Sequence, residues 1–363
     1  MTDASNTDAR GRVDLRSLGR AAIRDLVEGM GREGYRALQT WKWMWQKGIR
    51  DFDEMTDISK AFRAELAERA WLPDLSVLAL ERASDGTRKV AWTLEDGCVV
   101  ESVLIPEEDR LTLCVSSQVG CAQGCRFCVT GDLGFTRNLW PSEIALQALR
   151  ARDLLDPGER VSNVVLMGMG EPLANLSNLL AALEILLDGH ALGFSHRRVT
   201  VSTAGLVPAL RELAARSPVN LAVSLNASTD AQRDAVMPIN RRYPMAVLKR
   251  ACQEIPIPRG KRISFEYVLI QGFNDSLDDA DRLVAWLRGV KAKVNLIPYN
   301  ENPGRALAQP DAERVKAFQD RVVRAGIQCS IRVSRGLEIS AACGQLGLAE
   351  LARRRGAEGR PSD

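Results

Sequence analysis

Apolar residues in the first part of the chain recur with the spacing of a helix. Ile23 opens a stripe at positions i, i+3, i+4 and i+7, and Gly31 follows the stripe as a suitable stop. The segments TWKWMWQKGI and DEMTDISKAFRAEL continue this spacing. We therefore predict a helical domain over residues 13–74.

Three tryptophans of this helical domain allow two interpretations. Trp41, Trp43 and Trp45 lie near Lys42 and Lys47, so their rings could stack on nucleic-acid bases. Large aromatic side chains also fill the cores of small helical domains. Core packing is the favoured interpretation.

Three strand-like segments follow, and two tight-turn signals separate them. The pairs Asp85-Gly86 and Asp96-Gly97 divide the segments VLALERA, RKVAWTL and VVESVLI. Asp-Gly pairs favour two-residue hairpin turns. Residues 75–106 are therefore predicted to form a short antiparallel β-meander that links two domains.

From residue 107 onward, strand and helix patterns alternate. LTLCVSS is the first strand and PSEIALQALRARDLL the first helix, and the next strands are VSNVVLM, RVTVST, VNLAVSLNA, RISFEYVLI and KVNLIP, with CSIRVS ending the series. This alternation is typical of βαβ units around a parallel sheet. About six units fit into residues 107–348, fewer than the eight of a closed barrel. The fold class is α/β, as an open sheet or a partial barrel.

The unusual polar and glycine-rich segments lie at or just beyond the ends of the predicted strands. They comprise residues 121–128, 168–172, 202–205, 224–226, 298–300 and 343–345. The carboxyl edge of a parallel sheet is where the sites of α/β proteins assemble. We therefore predict one pocket that collects all of these segments.

Composition limits the remaining choices. Residues 1–12 and the basic tail 349–363 are predicted to be disordered. No apolar run is long enough to cross a bilayer, and a secretory signal is missing, so we expect a cytoplasmic protein without a membrane partner. The net charge of +3 is compatible with an RNA partner without requiring one. His190 and His196 are the only histidines, so a His-rich metal site is not expected.

The segment VGCAQGCRFCVTG carries Cys121, Cys125 and Cys128 at intervals of four and three residues. Thiolates at this spacing can converge on one centre. Structural zinc needs four ligands, and the possible fourth, Cys114, lies inside a predicted strand. A [4Fe–4S] cluster held by three cysteines leaves one iron open for a small molecule. Spacing alone favours a cluster, with zinc and simple packing as alternatives.

The three-cysteine motif resembles the signature of radical S-adenosylmethionine (radical SAM) enzymes, and GMGEP at 168–172 resembles their segment for the methionine amino group. VESVLIP, LCVSSQVGC, VSTAG, VNLIPYN and AACGQL are similar to motifs of the RlmN family of RNA adenine-C2 methyltransferases. YRALQTWKWMW and FDEMTDI resemble the accessory domain of that family. The resemblance covers roughly residues 13–348. It implies a partial (βα)6 barrel of the radical SAM type, with an RNA-binding accessory domain over residues 13–74.

The resemblance also implies the cofactors and the residues that hold them. Cys121, Cys125 and Cys128 would hold a [4Fe–4S] cluster whose open iron binds S-adenosylmethionine, and two S-adenosylmethionine molecules would be used per turnover. The cofactor-binding residues would be Gly170, Glu171, Ser202, Ser224, Leu225, Asn226 and Asn300. The chain departs from the family at Asn226, where His is usual, and in RGLEISAACGQL, where the family is rich in Asp.

In the implied reaction, Cys343 accepts a methyl group, and a radical on that methyl carbon then adds to C2 of adenine in 23S rRNA or tRNA. Cys114 would release the product by forming a transient disulfide with Cys343. Glu101 would accept the C2 proton, and Cys114 is the alternative acceptor. The implied partners are both RNAs, including an anticodon-adjacent adenosine of tRNA, and an electron donor such as flavodoxin. The protein is expected to be a monomer.

Two other functions remain open from the sequence. A related family uses the same cysteines to methylate adenine at C8, and a zinc-stabilised RNA-binding protein would lack catalysis. Candidate phosphate contacts are Arg197-Arg198, Arg241-Arg242, Lys261-Arg262 and Arg353 to Arg355, although such groups also occur on ordinary solvated faces. Cys98, Cys252 and Cys329 are predicted to be small buried hydrophobic residues.

Overall fold

The computed structural model describes residues 7–258, 260–302 and 305–347 of the chain, and these ranges contain fourteen β-strands and ten α-helices. The predicted tail 349–363, with Arg353 to Arg355, lies outside the described residues, as do residues 1–6. None of the described helices is both long and apolar enough to cross a membrane.

The N-terminal part is helical, as its apolar spacing predicts. Two short parallel strands, β1 (Val13–Asp14) and β2 (Ala70–Trp71), pair at its boundaries. Between them lie α1 (Arg20–Gly29), α2 (Tyr35–Lys42) and α3 (Lys60–Arg69). A π-helical turn over Trp43–Lys47 extends α2 and ends at Gly48.

The tryptophans of this part serve mainly as its core. Trp41 and Trp45 are fully buried, and their rings meet edge to face with centroids 6.0 Å apart. Trp43 is half-buried and donates a hydrogen bond from Nε1 to Asp57. The packing interpretation is therefore confirmed for Trp41 and Trp45.

The turn ahead of this part was not foreseen. Residues 7–12, predicted to be disordered together with 1–6, form a hydrogen-bonded turn. The Asp8 carboxylate accepts hydrogen bonds from the backbone N–H groups of Arg10 and Arg12 and from the Arg12 side chain. An Asp side chain that bonds to nearby backbone groups orders a polar segment without apolar residues.

The remaining strands form one large sheet and one hairpin. In chain order they are β3 (Ser76–Arg82), β4 (Arg88–Thr93), β5 (Val99–Glu107), β6 (Arg110–Cys114), β7 (Gln118–Gly120), β8 (Phe135–Asn138), β9 (Val161–Leu166), β10 (Val199–Thr203), β11 (Asn220–Ser224), β12 (Ile263–Leu269), β13 (Ala292–Pro298) and β14 (Cys329–Ile331). The ten-stranded sheet has the order β14-β13-β12-β11-β10-β9-β6-β5-β4-β3. Strands β7 and β8 pair only with each other.

The sheet changes from parallel to antiparallel at β6. Strands β6 and β9 to β14 are parallel neighbours, whereas β3, β4, β5 and β6 are antiparallel. The predicted meander therefore exists, but it extends the same sheet instead of standing between two domains.

Helices connect the parallel strands, as expected of βαβ units. They are α4 (Pro141–Arg150), α5 (Leu176–Leu187), α6 (Val207–Arg216), α7 (Asp230–Val236), α8 (Met245–Glu254), α9 (Leu277–Leu287) and α10 (Ala312–Arg324). Along β12, Phe265 and Tyr267 belong to the apolar core, and Ser264 and Glu266 alternate with them and line cavities. Strand β12 thus turns one face to the apolar core and the other to the cavities, and the predicted α/β alternation is confirmed.

The cysteine-bearing loop is the connection of the β7–β8 hairpin. Cys121 donates its backbone N–H to the carbonyl of Gly134 at 2.8 Å, which closes the loop. Gly120 has a φ of +73°, and a Cβ atom there would lie 1.8 Å from the Gly134 carbonyl oxygen. Only glycine permits this close approach.

We predict that Gly120→Ala destabilises the protein by about 2–4 kcal/mol, because the methyl group adds a steric clash to the cost of a positive φ. Gly134→Ala is the matched control, since Gly134 has a φ of +64° but open space around the added atom. It should cost only about 1 kcal/mol. Urea unfolding of both variants measures the difference, and equal losses would contradict the steric explanation.

Candidate active site

A cavity opens at the carboxyl edge of the parallel strands. Of the residues predicted from the sequence, it is lined by Cys121, Cys125, Cys128, Gly170, Glu171, Ser202, Ser224, Asn226, Asn300 and Cys343. The structure thus brings the strand-end segments together in one cavity.

The three thiols of the loop share a wall of this cavity and influence one another. Burial raises the pKa of the Cys121 thiol to about 12. Burial also raises the pKa of Cys125, and the neighbouring Cys128 and Cys121 raise it further. Clustered, buried thiols resist ionisation unless a positive centre is bound, and metal coordination supplies that charge.

This donor set fits a cluster with one open iron. Three thiols line the cavity beside open space, and Cys114 is not part of that lining. Three protein thiolates are sufficient for a [4Fe–4S] cluster that leaves one iron for a ligand.

Glu171 is a buried carboxylate fixed in the cavity wall. Its two oxygens accept hydrogen bonds from the backbone N–H groups of Leu173 at 3.0 Å and Ala204 at 2.6 Å. Burial raises its pKa to about 7, although these hydrogen bonds act in the opposite direction. Gly170 precedes it with a φ of +99°, and a Cβ atom there would approach Gln118 to 2.5 Å.

Leu225 and Asn226 serve the fold more than the cavity. Leu225 is fully buried and does not line the cavity, which differs from its predicted place among the cofactor-binding residues. Asn226 has a φ of +57°, a conformation that Asn tolerates better than most residues. Its Oδ1 accepts the backbone N–H of Val268 at 2.9 Å, and its Nδ2 donates to the sulfur of Met237. The polar atoms of Asn226 are thus used to join the ends of β11 and β12.

Hydrogen bonds place Cys343 directly beside the cysteine loop. The side-chain amide of Asn300 donates to the Cys343 carbonyl at 3.0 Å. The backbone N–H of Val129 donates to the carbonyl of Gly344 at 2.8 Å, and the Thr130 hydroxyl donates to that of Leu346 at 2.7 Å. The segment that carries Cys343 is therefore docked on the loop that carries the three thiols.

Cys114 lies at the end of β6 and lines a second cavity, which also contains Cys343, Cys128 and Asn300. The two cavities share these lining residues, so they adjoin. Burial raises the pKa of Cys114 to about 12, the nearby Cys343 raises it further, and the positive charge of Arg332 lowers it.

Glu101 is fully buried and lines neither cavity. Its carboxylate accepts a hydrogen bond from the backbone N–H of Gly347 at 2.7 Å. In this conformation it helps to hold the segment that carries Cys343.

Sequence reasoning missed two charged residues of the cavity, Glu266 and Arg332. Glu266 had a recognisable signal, since it is the one carboxylate in the apolar strand RISFEYVLI and a buried charge needs a reason. Arg332 had no comparable signal, because Arg is common at strand ends.

Comparison with known proteins identifies the family. A family model described as the ribosomal RNA large subunit methyltransferase N-terminal domain matches residues 13–72, and a radical SAM superfamily model matches residues 115–284. A protein of Anaeromyxobacter dehalogenans named dual-specificity RNA methyltransferase RlmN is 51% identical over 356 residues, which cover 96% of this chain and 93% of the relative. The chain belongs to the RlmN family. A Geobacter sulfurreducens protein of the same name is 51% identical over 335 residues, or 92% of each chain.

A solved structure supports the fold of this RlmN-family member. The crystal structure of a radical SAM methyltransferase from Sphaerobacter thermophilus is similar with a TM-score of 0.86 and 42% identity, over 92% of this chain and 98% of that one. The predicted fold class is confirmed. Membership of the radical SAM superfamily implies a [4Fe–4S] cluster and S-adenosylmethionine, which the three-thiol site fits. These findings agree with the radical SAM interpretation and not with a zinc-stabilised RNA-binding protein.

We predict that Cys128→Ser abolishes stable iron incorporation during anaerobic reconstitution, because the cluster would lose one of its three thiolates. Cys98→Ser is the matched control, since Cys98 lies in the antiparallel part of the chain outside the cavity, and it should bind as much iron as the unmodified protein. Iron and sulfide assays provide the measurement. Full iron loading of Cys128→Ser would refute the ligand assignment.

Proposed function

We propose that this protein methylates C2 of a specific adenosine in 23S rRNA and of an anticodon-adjacent adenosine in a subset of tRNAs. The observation that supports it most is the docking of the Cys343 segment on the cysteine loop. It joins a methyl-accepting thiol to a radical SAM cavity, and the names of the RlmN relatives agree with RNA methylation. C2 is proposed over C8 because the family of the chain is RlmN.

The bound cofactors would supply chemistry that side chains lack. A [4Fe–4S] cluster held by Cys121, Cys125 and Cys128, together with two S-adenosylmethionine molecules per turnover, provides the one-electron reactivity that an electron-poor C2–H group needs. Glu171 would pair with the cofactor ammonium. Gly170, Ser202, Ser224 and Asn300 would contact the rest of the cofactor, and Leu225 and Asn226 would support that wall through their backbone and amide bonds.

Cys343 would carry the methyl group. A thiolate is a good nucleophile toward a sulfonium methyl group, and the hydrogen bond from Asn300 to the Cys343 carbonyl orients the segment toward the cavity. The methyl group would thereby be held on the protein between the cofactor and the RNA base.

Cys114 would release the product. Its sulfur, as a thiolate, would attack the sulfur of Cys343, so that an S–S bond forms while the S–C bond breaks with its electron pair on the CH₂ carbon. That carbon would then take up a proton to complete the methyl group on the base. The exposure of both cysteines to one adjoining cavity supports this pairing. The C2 proton would pass to Glu101 once its hydrogen bond to Gly347 is released, or to Cys114.

The proposed RNA substrates determine how the protein would bind its target adenosine. A base edge that carries C2 is inaccessible inside a helix, so the adenosine must be unpaired or turned out. Arg197, Arg198, Arg241 and Arg242 are exposed and suit phosphate contacts, with help from the accessory domain over residues 13–74. A flavodoxin-type electron donor, a monomeric state and a cytoplasmic location complete the proposal.

We predict that Cys343→Ala abolishes formation of 2-methyladenosine while iron content stays at the wild-type level, because only the methyl carrier is lost. Cys114→Ala should instead accumulate protein covalently joined to RNA, because the adduct cannot be resolved. Nucleoside mass spectrometry and denaturing gels measure the two outcomes. Methylation by Cys343→Ala would rule out the covalent route, and 8-methyladenosine from the wild type would rule out C2 specificity.

We predict that binding of S-adenosylhomocysteine by the iron-loaded protein weakens roughly tenfold from pH 8 to pH 6. The pKa of Glu171 is raised from 4.5 to about 7, so the carboxylate that faces the ligand ammonium is lost as pH falls through that value. Conversely, the ligand-free protein loses stability as pH rises from about 4.5 to about 7, because the folded state holds the Glu171 proton more tightly than the unfolded chain does.

Titration calorimetry with Glu171→Gln provides the control for this pH profile. The variant should bind weakly at both pH values, because it has no carboxylate to titrate. A wild-type affinity that does not change between pH 8 and pH 6 would exclude the ammonium pairing.

A further inference from the structure

One carboxylate oxygen of the cavity lacks a partner. Glu266 lies on β12 and is 5% exposed. Its Oε1 accepts a hydrogen bond from the side-chain amide of Asn295 at 2.9 Å, but its Oε2 is buried without a hydrogen-bond partner among the described residues. Burying an unsatisfied carboxylate oxygen costs free energy, so such an atom at a cavity wall indicates a missing ligand.

The position of Glu266 identifies the part of the cavity that it serves. The strand register places Glu266 opposite Ser224 of β11 on one side and opposite Asn295 of β13 on the other. Glu266 lines the cavity of the three thiols and also the adjoining cavity that contains Cys114. Its free oxygen therefore lies one strand away from Ser224, at the same level of the sheet.

The surrounding charges suit an acceptor of hydrogen bonds. Burial raises the pKa of Glu266, whereas the positive charge of Arg332, the hydrogen bond from Asn295 and the charge of Lys293 lower it. Arg332 and Lys293 thus oppose the effect of burial. In its carboxylate form Glu266 can only accept hydrogen bonds, so a ligand group that pairs with this form must donate.

Other lining residues do not compete for this role. The polar atoms of Asn226 are engaged with Val268 and Met237. Among the described residues of this cavity, Glu266 and Tyr299 alone have a buried polar side-chain atom without a partner. The Tyr299 hydroxyl can donate as well as accept, whereas the Glu266 oxygen is solely an acceptor.

We propose that Oε2 of Glu266 accepts hydrogen bonds from the ribose hydroxyls of the adenosyl group of S-adenosylmethionine. Carboxylates commonly bind ribose hydroxyls at the ends of parallel strands. The proposal rests on the proposed function, in which the methionine end of the cofactor lies at the cysteine loop and Glu171. The adenosyl end would then lie at the strand ends that carry Ser224 and Glu266. A ribose of the RNA is the other possible donor, because Glu266 also lines the adjoining cavity. The strand register favours the cofactor, since Ser224, opposite Glu266, lines the cavity of the three thiols and not the adjoining one.

The test combines a substitution in the protein with the removal of a hydroxyl group from the ligand, as in a double-mutant cycle. Binding is measured by titration calorimetry on iron-loaded protein. The probes are S-adenosylhomocysteine and its 2′-deoxy and 3′-deoxy analogues. The wild type should bind at least one deoxy analogue roughly 10- to 100-fold more weakly, as expected for a lost hydrogen bond to a charged group. Glu266→Gln should reduce that discrimination to less than about threefold, because an amide N–H₂ group replaces the acceptor.

Glu107→Gln is the matched control. Glu107 lines only the adjoining cavity and is exposed, so this variant removes the same charge without touching the ribose position. It should discriminate between the ligands as the wild type does. Iron content and thermal unfolding verify that each variant is folded and loaded.

Two results would overturn the assignment independently of variant folding. A wild type that binds both deoxy analogues as tightly as S-adenosylhomocysteine has no ribose contact of this kind. A loaded Glu266→Gln variant that keeps wild-type discrimination, or that loses only RNA affinity, places the carboxylate elsewhere. Protein that loads no iron and binds no S-adenosylhomocysteine would instead defeat the proposed function itself.

Discussion

The structure depends on the docking of one short C-terminal segment onto the cysteine loop. The backbone N–H of Val129 donates a hydrogen bond to the Gly344 carbonyl, and the Thr130 hydroxyl donates one to the Leu346 carbonyl. Buried peptide groups must find partners, so these bonds restrict both segments to one relative position. As a result Cys343, which is 215 residues beyond Cys128 in the chain, lines the same cavity as the three thiols.

The second property of the site is that its ionisable side chains are buried and poorly solvated. The loop thiols and the carboxyls of Glu171 and Glu266 all have raised pKa values, and desolvation is the first cause in each case. A protein of this size could have used apolar residues at these positions. Retaining poorly solvated groups at one cavity is typical of sites whose ligands supply the missing charge and hydrogen bonds. A cationic metal centre would neutralise the loop thiolates, an ammonium group would pair with Glu171, and ribose hydroxyls would donate hydrogen bonds to Glu266.

Much of this arrangement could be predicted from the sequence, because the spacing of apolar residues indicates which positions are buried. The alternation of strands and helices from residue 107 onward and the helical N-terminal part follow from apolar spacing. The convergence of Gly170, Ser202 and Cys343 follows from the shared edge of parallel strands. The hydrogen-bond partners of individual side chains were less predictable. Asn226 stands where a ligand-binding motif of the family usually has His, yet its amide joins two strands. The carboxylate of Glu101 accepts a hydrogen bond from Gly347. Such contacts depend on tertiary proximity, which periodicity does not encode. The neighbours of Glu266 likewise became known only once β11 and β13 were placed beside β12.

The central claim is that the methyl group passes through Cys343 on its way to the RNA base. The most direct measurement uses S-adenosylmethionine with a fully deuterated methyl group, followed by mass spectrometry of the modified nucleoside. If the methyl carbon becomes a radical while attached to Cys343, it loses one deuterium before it joins the base. The product should then be 2-methyladenosine with two deuterium atoms in its methyl group. A methyl group that retains all three would show direct transfer and would contradict the account.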